Sequence, residues 1–90
     1  MWVKNLYYNK KYGKIVCAAL NKNGKIYKGK THAECFIQEP KGVLVNAEQG
    51  FVTSSGKFVN RKVALKIAKH YNQVNHKHFP EDMLFSEDLL

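Results

Sequence analysis

QGFVTSSGKFVNRKVALKIAKHY, residues 49–71, is the stretch on which the fold turns, because hairpin, helix start and amphipathic helix follow one another in it without a gap. Phe51-Val52-Thr53 and Phe58-Val59 are β-branched and aromatic runs on either side of Ser54-Ser55-Gly56, where glycine supplies the positive φ of a tight, bulged turn. Two antiparallel strands are expected there. Asn60 then stands at an N-cap position, and Ala64, Ile67, Ala68 and Tyr71 recur at helical spacing opposite Lys62, Lys66 and Lys69. The pattern predicts strand, turn, strand and helix in direct succession.

Arg61 is the only arginine among fifteen basic residues, and it falls in the first turn of that helix. Unpaired backbone N–H groups and the positive end of the helix dipole favour an anion at such a place. A guanidinium can hold a phosphate through two hydrogen bonds, and the Asn60 amide adds another polar group. Asn60, Arg61 and the helix end would therefore suit a nucleotide. The plain alternative is a cap residue followed by a solvated arginine.

Upstream, Lys14–Leu20 (KIVCAAL) is apolar on both alternating faces, which predicts a central strand covered on both sides or lying in a subunit contact. Asn23-Gly24 is a strong hairpin signal, with Lys25-Ile26-Tyr27-Lys28 as the returning strand. Thr31 and Glu34 are spaced as a capping box, so a short helix is expected over His32, Cys35 and Phe36, ended by Pro40 and Gly42. Val43-Leu44-Val45 reads as a brief strand or an apolar loop. The expected architecture is α+β: two antiparallel β-hairpins in one sheet, with one short and one longer helix packed on it.

Ninety residues are enough for one small domain with limited burial, spanning 1–90, and self-association would add to its stability. The formal net charge is +8, and it is unevenly spread. Residues 1–80 carry every lysine and the arginine against Glu34, Glu39 and Glu48, whereas the last ten hold Glu81, Asp82, Glu87 and Asp88 and no base. A cationic body concentrates anionic partners: nucleic acid, a nucleotide or an acidic protein surface. The rarity of arginine weighs against base reading, since bidentate contacts to guanine usually come from arginine.

The segment 1–12 interleaves Trp2, Tyr7, Tyr8 and Tyr12 with Lys4, Lys10 and Lys11. Such a pattern serves either a single-stranded nucleic-acid platform or a lysine-protected edge strand. At the other end, residues 79–90 combine acids with Met83, Leu84, Phe85, Leu89 and Leu90, which predicts a tail that docks on its own body or on a neighbour. Apolar runs are short and no basic-then-apolar leader opens the chain, so a soluble, cytoplasmic protein without membrane contact is expected. Cys17 and Cys35 are read as free thiols.

Catalytic and metal patterns are weak. No glycine-rich phosphate loop or nucleophile elbow is present, and His32 is the one residual catalytic candidate. His70, His76 and His78 lack the completing ligands of a zinc site and are read as solvent-exposed. A binding protein without catalytic residues, metal or cofactor is expected.

The residues from Gln49 to Arg61, with Ala64, Ile67-Ala68, Gln73 and the closing Leu84-Phe-Ser-Glu-Asp-Leu89, resemble a group of small phage proteins that includes the Thoeris anti-defence sponges. The resemblance implies a compact α+β homo-oligomer that captures a cyclic ADP-ribose-type immune signal made by a TIR-domain enzyme, without cleaving it, in the host cytoplasm. Carried to this chain, it implies Phe51 as a base-stacking or pocket-wall ring, Asn60 and Arg61 as contacts to phosphate or ribose, and His32 with Lys30 at the capped turn. The chain departs from that pattern at Thr31, where a second basic or histidine residue is expected, and at Asn72, where a glycine is expected. A basic module binding nucleic acid or a host protein through Trp2, Lys4, Lys10 and Lys11 is the alternative.

Overall fold

The computed structural model describes residues 12–78 and 81–90. Strands β1 (Ile15–Lys22), β2 (Lys25–Gly29), β3 (Glu48–Thr53) and β4 (Phe58–Asn60) form one antiparallel sheet in the order β2-β1-β3-β4. Helix α1 (His32–Phe36) follows β2, helix α2 (Arg61–His70) follows β4, and a 3₁₀ turn spans Ser86–Leu89. The α+β architecture expected from two hairpins and two helices is the one observed.

Both hairpin turns have a local cause. Asn23 and Gly24 have φ of 52° and 94°, the paired left-handed conformation of a two-residue turn, and Asn21 Oδ1 accepts from the Gly24 N–H at 2.8 Å. Gly56 has φ of 84° at the second turn, where its N–H donates to the Thr53 carbonyl. Ala18, Ala19 and Leu20 of the doubly apolar KIVCAAL run are paired on both edges and buried, whereas its first half meets β3 alone and Val16 is exposed, so the cover expected on both sides reaches only part of the run.

Strand alternation assigns the two faces. Ala18, Leu20, Tyr27, Phe51 and Val59 point to the side that the helices cover, where they pack with Cys35, Ala64, Leu65, Ile67, Ala68 and Leu84. The fully buried large side chains Phe51, Leu20, Leu44, Ile67 and Leu84 are each worth roughly 1.5–3 kcal/mol in removal from water. Ala19, Gly50 and Val52 lie on the opposite face with Phe58. A Cβ on Gly50 would stand 2.2 Å from the Val59 carbonyl oxygen and 2.5 Å from the Phe58 ring, so the close approach there requires glycine.

Helix α2 begins as the sequence predicts: Asn60 Oδ1 accepts from the Val63 N–H at 2.8 Å. Ala64, Leu65, Ile67 and Ala68 are buried and Lys62, Lys66 and Lys69 exposed. Tyr71 is the C-cap rather than part of the helix. The chain then reverses through Asn72 at φ 57°, with Asn72 N–H donating to Lys69 O and Gln73 N–H to Ala68 O, the paired bonds of a left-handed helix stop. This is the position where the resemblance leads one to expect glycine, and asparagine is the side chain best able to replace it. Gln73 is thereby aimed at β1, accepting from Ile15 N–H at 2.9 Å and donating to Ile15 O at 2.8 Å.

One local expectation is corrected and one alternative is decided. Thr31 caps α1 by accepting from Glu34 N–H, but the Glu34 carboxylate accepts from the N–H of Lys30, not of Thr31. Val43–Val45 is a run of turns, not a strand, with Leu44 buried and its two neighbours exposed. Trp2, Lys4, Lys10 and Lys11, on which the basic-aromatic reading rests, lie outside the described residues.

Candidate functional site

Arg61 and Asn60 stand where β4 runs directly into α2, so a single residue ends the strand and caps the helix. The Asn60 side chain is committed to the cap, which leaves Arg61 as the free polar group of that joint. Its guanidinium carbon lies 5.2 Å from the centroid of the Phe85 ring, and Lys77 Nζ lies 5.5 Å from the same centroid. Arg61 and Phe85 are both half-buried, and Arg61 forms no ion pair among the described residues. The backbone ties the pair together, since the Arg61 carbonyl accepts from the Leu84 N–H at 3.0 Å. The result is a cationic shelf at the start of a ten-residue helix: an aromatic ring beside the Arg61 guanidinium and the Lys77 ammonium, the latter paired with the Asp88 carboxylate at 3.1 Å.

His32 lies close by but points inward. Its Nε2 is 2.8 Å from the Gly50 carbonyl oxygen, which can only accept, so Nε2 carries the proton. The ring meets Phe51 edge-on at a centroid distance of 5.0 Å, and the His32 N–H donates to Ser86 Oγ. Burial lowers the His32 pKa, opposed by the bond to Gly50, and the Arg61 charge lowers it further. The imidazole is thus held neutral between α1, β3 and the C-terminal segment.

The five residues singled out from the sequence therefore divide. Asn60 and Arg61 meet at the joint, and His32 sits beneath it within electrostatic reach of Arg61. Lys30 is exposed before α1, its N–H bonded to Glu34. Phe51 is fully enclosed by the core, so a ligand could stack on it only by displacing its cover. Phe85 is the ring that the fold presents at the surface instead. The alternation of β3 reveals that Phe51 faces one way but not which face is covered; Phe85, in an apolar-acidic tail, is placed only by how that tail docks.

A groove of about 540 Å³ lies elsewhere, lined by Phe36, Ile37, Glu39, Lys41, Gly42, Leu44 and Val45, and none of the five residues borders it. Among the described residues no group of three histidine, cysteine, aspartate or glutamate side chains is placed to hold a metal ion. Both cysteines are free thiols; burial raises the Cys35 pKa to about 11 and also raises that of Cys17. No helix among the described residues is long and apolar enough to cross a membrane.

No curated protein and no solved structure matches this chain. The sequence model of one protein family, described as "Phage T4 y16D protein", matches residues 3–90 and so takes in the sheet, both helices and the Arg61–Phe85 shelf. That match supports the coarser part of the resemblance, a small phage protein, and does not extend to the sponge family. The chain belongs to the phage T4 y16D protein family.

Proposed function

We propose that this protein is a phage anti-defence binder that holds a cyclic nucleotide signal of the cyclic ADP-ribose type without cleaving it, at the shelf formed by Arg61, Asn60 and Phe85. The observation that carries the reading is the unpaired guanidinium of Arg61 beside a half-buried aromatic ring at a helix start. A nucleotide combines a flat base, which can lie on a ring or guanidinium plane, with phosphates that take two hydrogen bonds from arginine. Lys77 lies beside the same ring with its charge shared by the Asp88 carboxylate, Lys30 joins the ligand set on the resemblance alone, and His32, buried and neutral, supports the joint rather than touching the ligand. No group placed for nucleophilic or metal-assisted chemistry enters this reading, so the ligand is released intact. A shelf shared between two subunits would enclose more of the ligand than one chain does, in keeping with a homo-oligomer in the host cytoplasm.

The test is capture and release. The protein is incubated with cyclic ADP-ribose and its linkage isomers, washed, denatured and the released material identified by mass. Saturable uptake of intact ligand by the wild type, lost in Arg61→Ala and partly kept in Arg61→Lys, is the expected result. Equal uptake by Arg61→Ala, or a hydrolysed product, overturns the reading.

A second reading, a basic module for nucleic acid or a host protein, is favoured by the row of exposed lysines Lys62, Lys66 and Lys69 along α2. It predicts binding that falls steeply with salt and does not depend on Arg61 in particular.

A further inference from the structure

The C-terminal segment from Met83 to Leu90 is fastened to the body at two points, the carboxylate of Asp88 and the core side chain of Leu84. Asp88 is fully buried, yet its carboxylate has four donors: Phe85 N–H at 2.9 Å, His78 N–H at 2.8 Å, the His78 ring and Lys77 Nζ at 3.1 Å. Burial alone would raise its pKa, but these bonds outweigh that and hold it below the usual carboxylate range. The Asp88 carbonyl also accepts from the N–H groups of Asn75 and His76, and Asn75 Nδ2 donates to Leu89 O.

Beyond Asp88 the segment adds Leu84 to the core, with Leu89 packed against it, and few hydrogen bonds. Leu84 is the one apolar side chain of the segment that is fully buried, its N–H donates to Arg61 O, and Ser86 Oγ accepts from His32 N–H. None of these bonds belongs to the sheet ladders. Segments of this kind open at lower free energy than the core they rest on. Phe85 rides on the segment, and its N–H is fixed by Asp88 itself.

We infer that residues 83–90 form a strap that opens and closes on the folded body as one unit, bolted by Asp88, and that only the closed strap sets Phe85 beside Arg61. The second half rests on the ligand reading given above. The charged and titratable groups around the bolt come from every element that meets it: Lys77 and His78 from the segment after α2, Arg61 across the Phe85 ring, Glu87 on the strap and His32 beyond Ser86. Loss of the Asp88 charge would leave Lys77 and the His78 donors without their buried acceptor, and the strap would lift while the sheet stays formed. A ligand held between Arg61 and Phe85 binds the closed state alone, so by linkage it must also keep the strap shut.

Hydrogen exchange of the full chain tests both halves. In the wild type, the amides of Asn75, His76 and Leu84, which donate across the seam, are expected to exchange at least tenfold faster than those of Leu20 and Phe51. In Asp88→Asn they speed up by a further factor of roughly ten while Leu20 and Phe51 do not change. Seam amides that exchange together with the sheet in the wild type, or a variant in which seam and sheet speed up alike or neither moves, would show the tail to be part of one cooperative unit and overturn the strap. Cyclic ADP-ribose is then added to the wild type. Slower exchange at the seam supports the coupling; binding without any change at the seam overturns it. Absence of binding would sink the ligand reading and the coupling with it, while the exchange of the unliganded proteins still decides the strap.

Discussion

His32 links one buried ring to the pH dependence of folding. A histidine after a helix cap invites a ligand or catalytic reading, but here the ring donates to Gly50 O and rests edge-on against Phe51. Its native pKa is lowered by burial, so the unfolded chain binds more protons near the ordinary value. The sign follows directly: the stability it contributes is complete above about pH 6.5, falls as the pH drops below that, and levels off beneath the native value. Urea midpoints measured from pH 7.5 to 5 should decline in the wild type, and His32→Gln should flatten part of that decline; parallel profiles would contradict the assignment. His32→Ala is expected to cost about 1–3 kcal/mol through the orphaned Gly50 carbonyl.

Two other residues make sharp predictions. Gly50→Ala drives a methyl group into the Val59 carbonyl, which as backbone cannot move aside, so a loss of about 1–3 kcal/mol in chemical denaturation is expected even though alanine is compatible with strand geometry. Cys35, buried and with its pKa raised to about 11, should react with a thiol reagent at neutral pH only as fast as the protein opens. Rapid labelling of Cys35 in the folded protein would refute that placement. At this scale the sequence is informative where chemistry is local, as at Asn60. It is silent where burial decides, and Phe51 is the example: period-two alternation assigns it a face, but only the packing of α1, α2 and Leu84 makes that face the core.

At the scale of elements, turns and caps carried the reading. Asn23-Gly24, Ser54-Ser55-Gly56 and Asn60 each impose their geometry on neighbouring residues, and the two hairpins and both helices follow. Removing the cap tests this, because Asn60→Ala should cost about 1 kcal/mol by leaving the Val63 N–H without its acceptor. The long-range pairing of β1 with β3 was less legible. It depends on matching two apolar strands far apart in the chain, and no local signal fixes their register. The position of Phe85 was hidden for the same reason, since it depends on the Asp88 contacts with Lys77 and His78 rather than on any period in the tail. Stability contributed by those contacts is present above the ordinary carboxylate range near pH 3.9 and lost as the pH falls through the lowered native value.

For the whole molecule, the dominant quantity is a net charge of +8 on ninety residues. A long-range field of that size draws in any polyanion and cannot by itself choose among partners, whereas one unpaired guanidinium beside one ring can. The two functional readings therefore part in their response to salt. Steep loss of affinity with ionic strength, shared by all anions, belongs to the lysine face of α2; a shallower dependence with strong preference for one nucleotide belongs to Arg61 and Phe85. Calorimetric titration of cyclic ADP-ribose into the wild type, Arg61→Lys and Arg61→Ala at near-physiological salt puts this most directly. Saturable binding by the wild type is expected, with a loss of about 10–100-fold in Arg61→Ala, the scale of a lost charged hydrogen bond, and Arg61→Lys in between. Equal affinity in all three proteins, or no heat from the wild type while a short oligonucleotide binds, would contradict it.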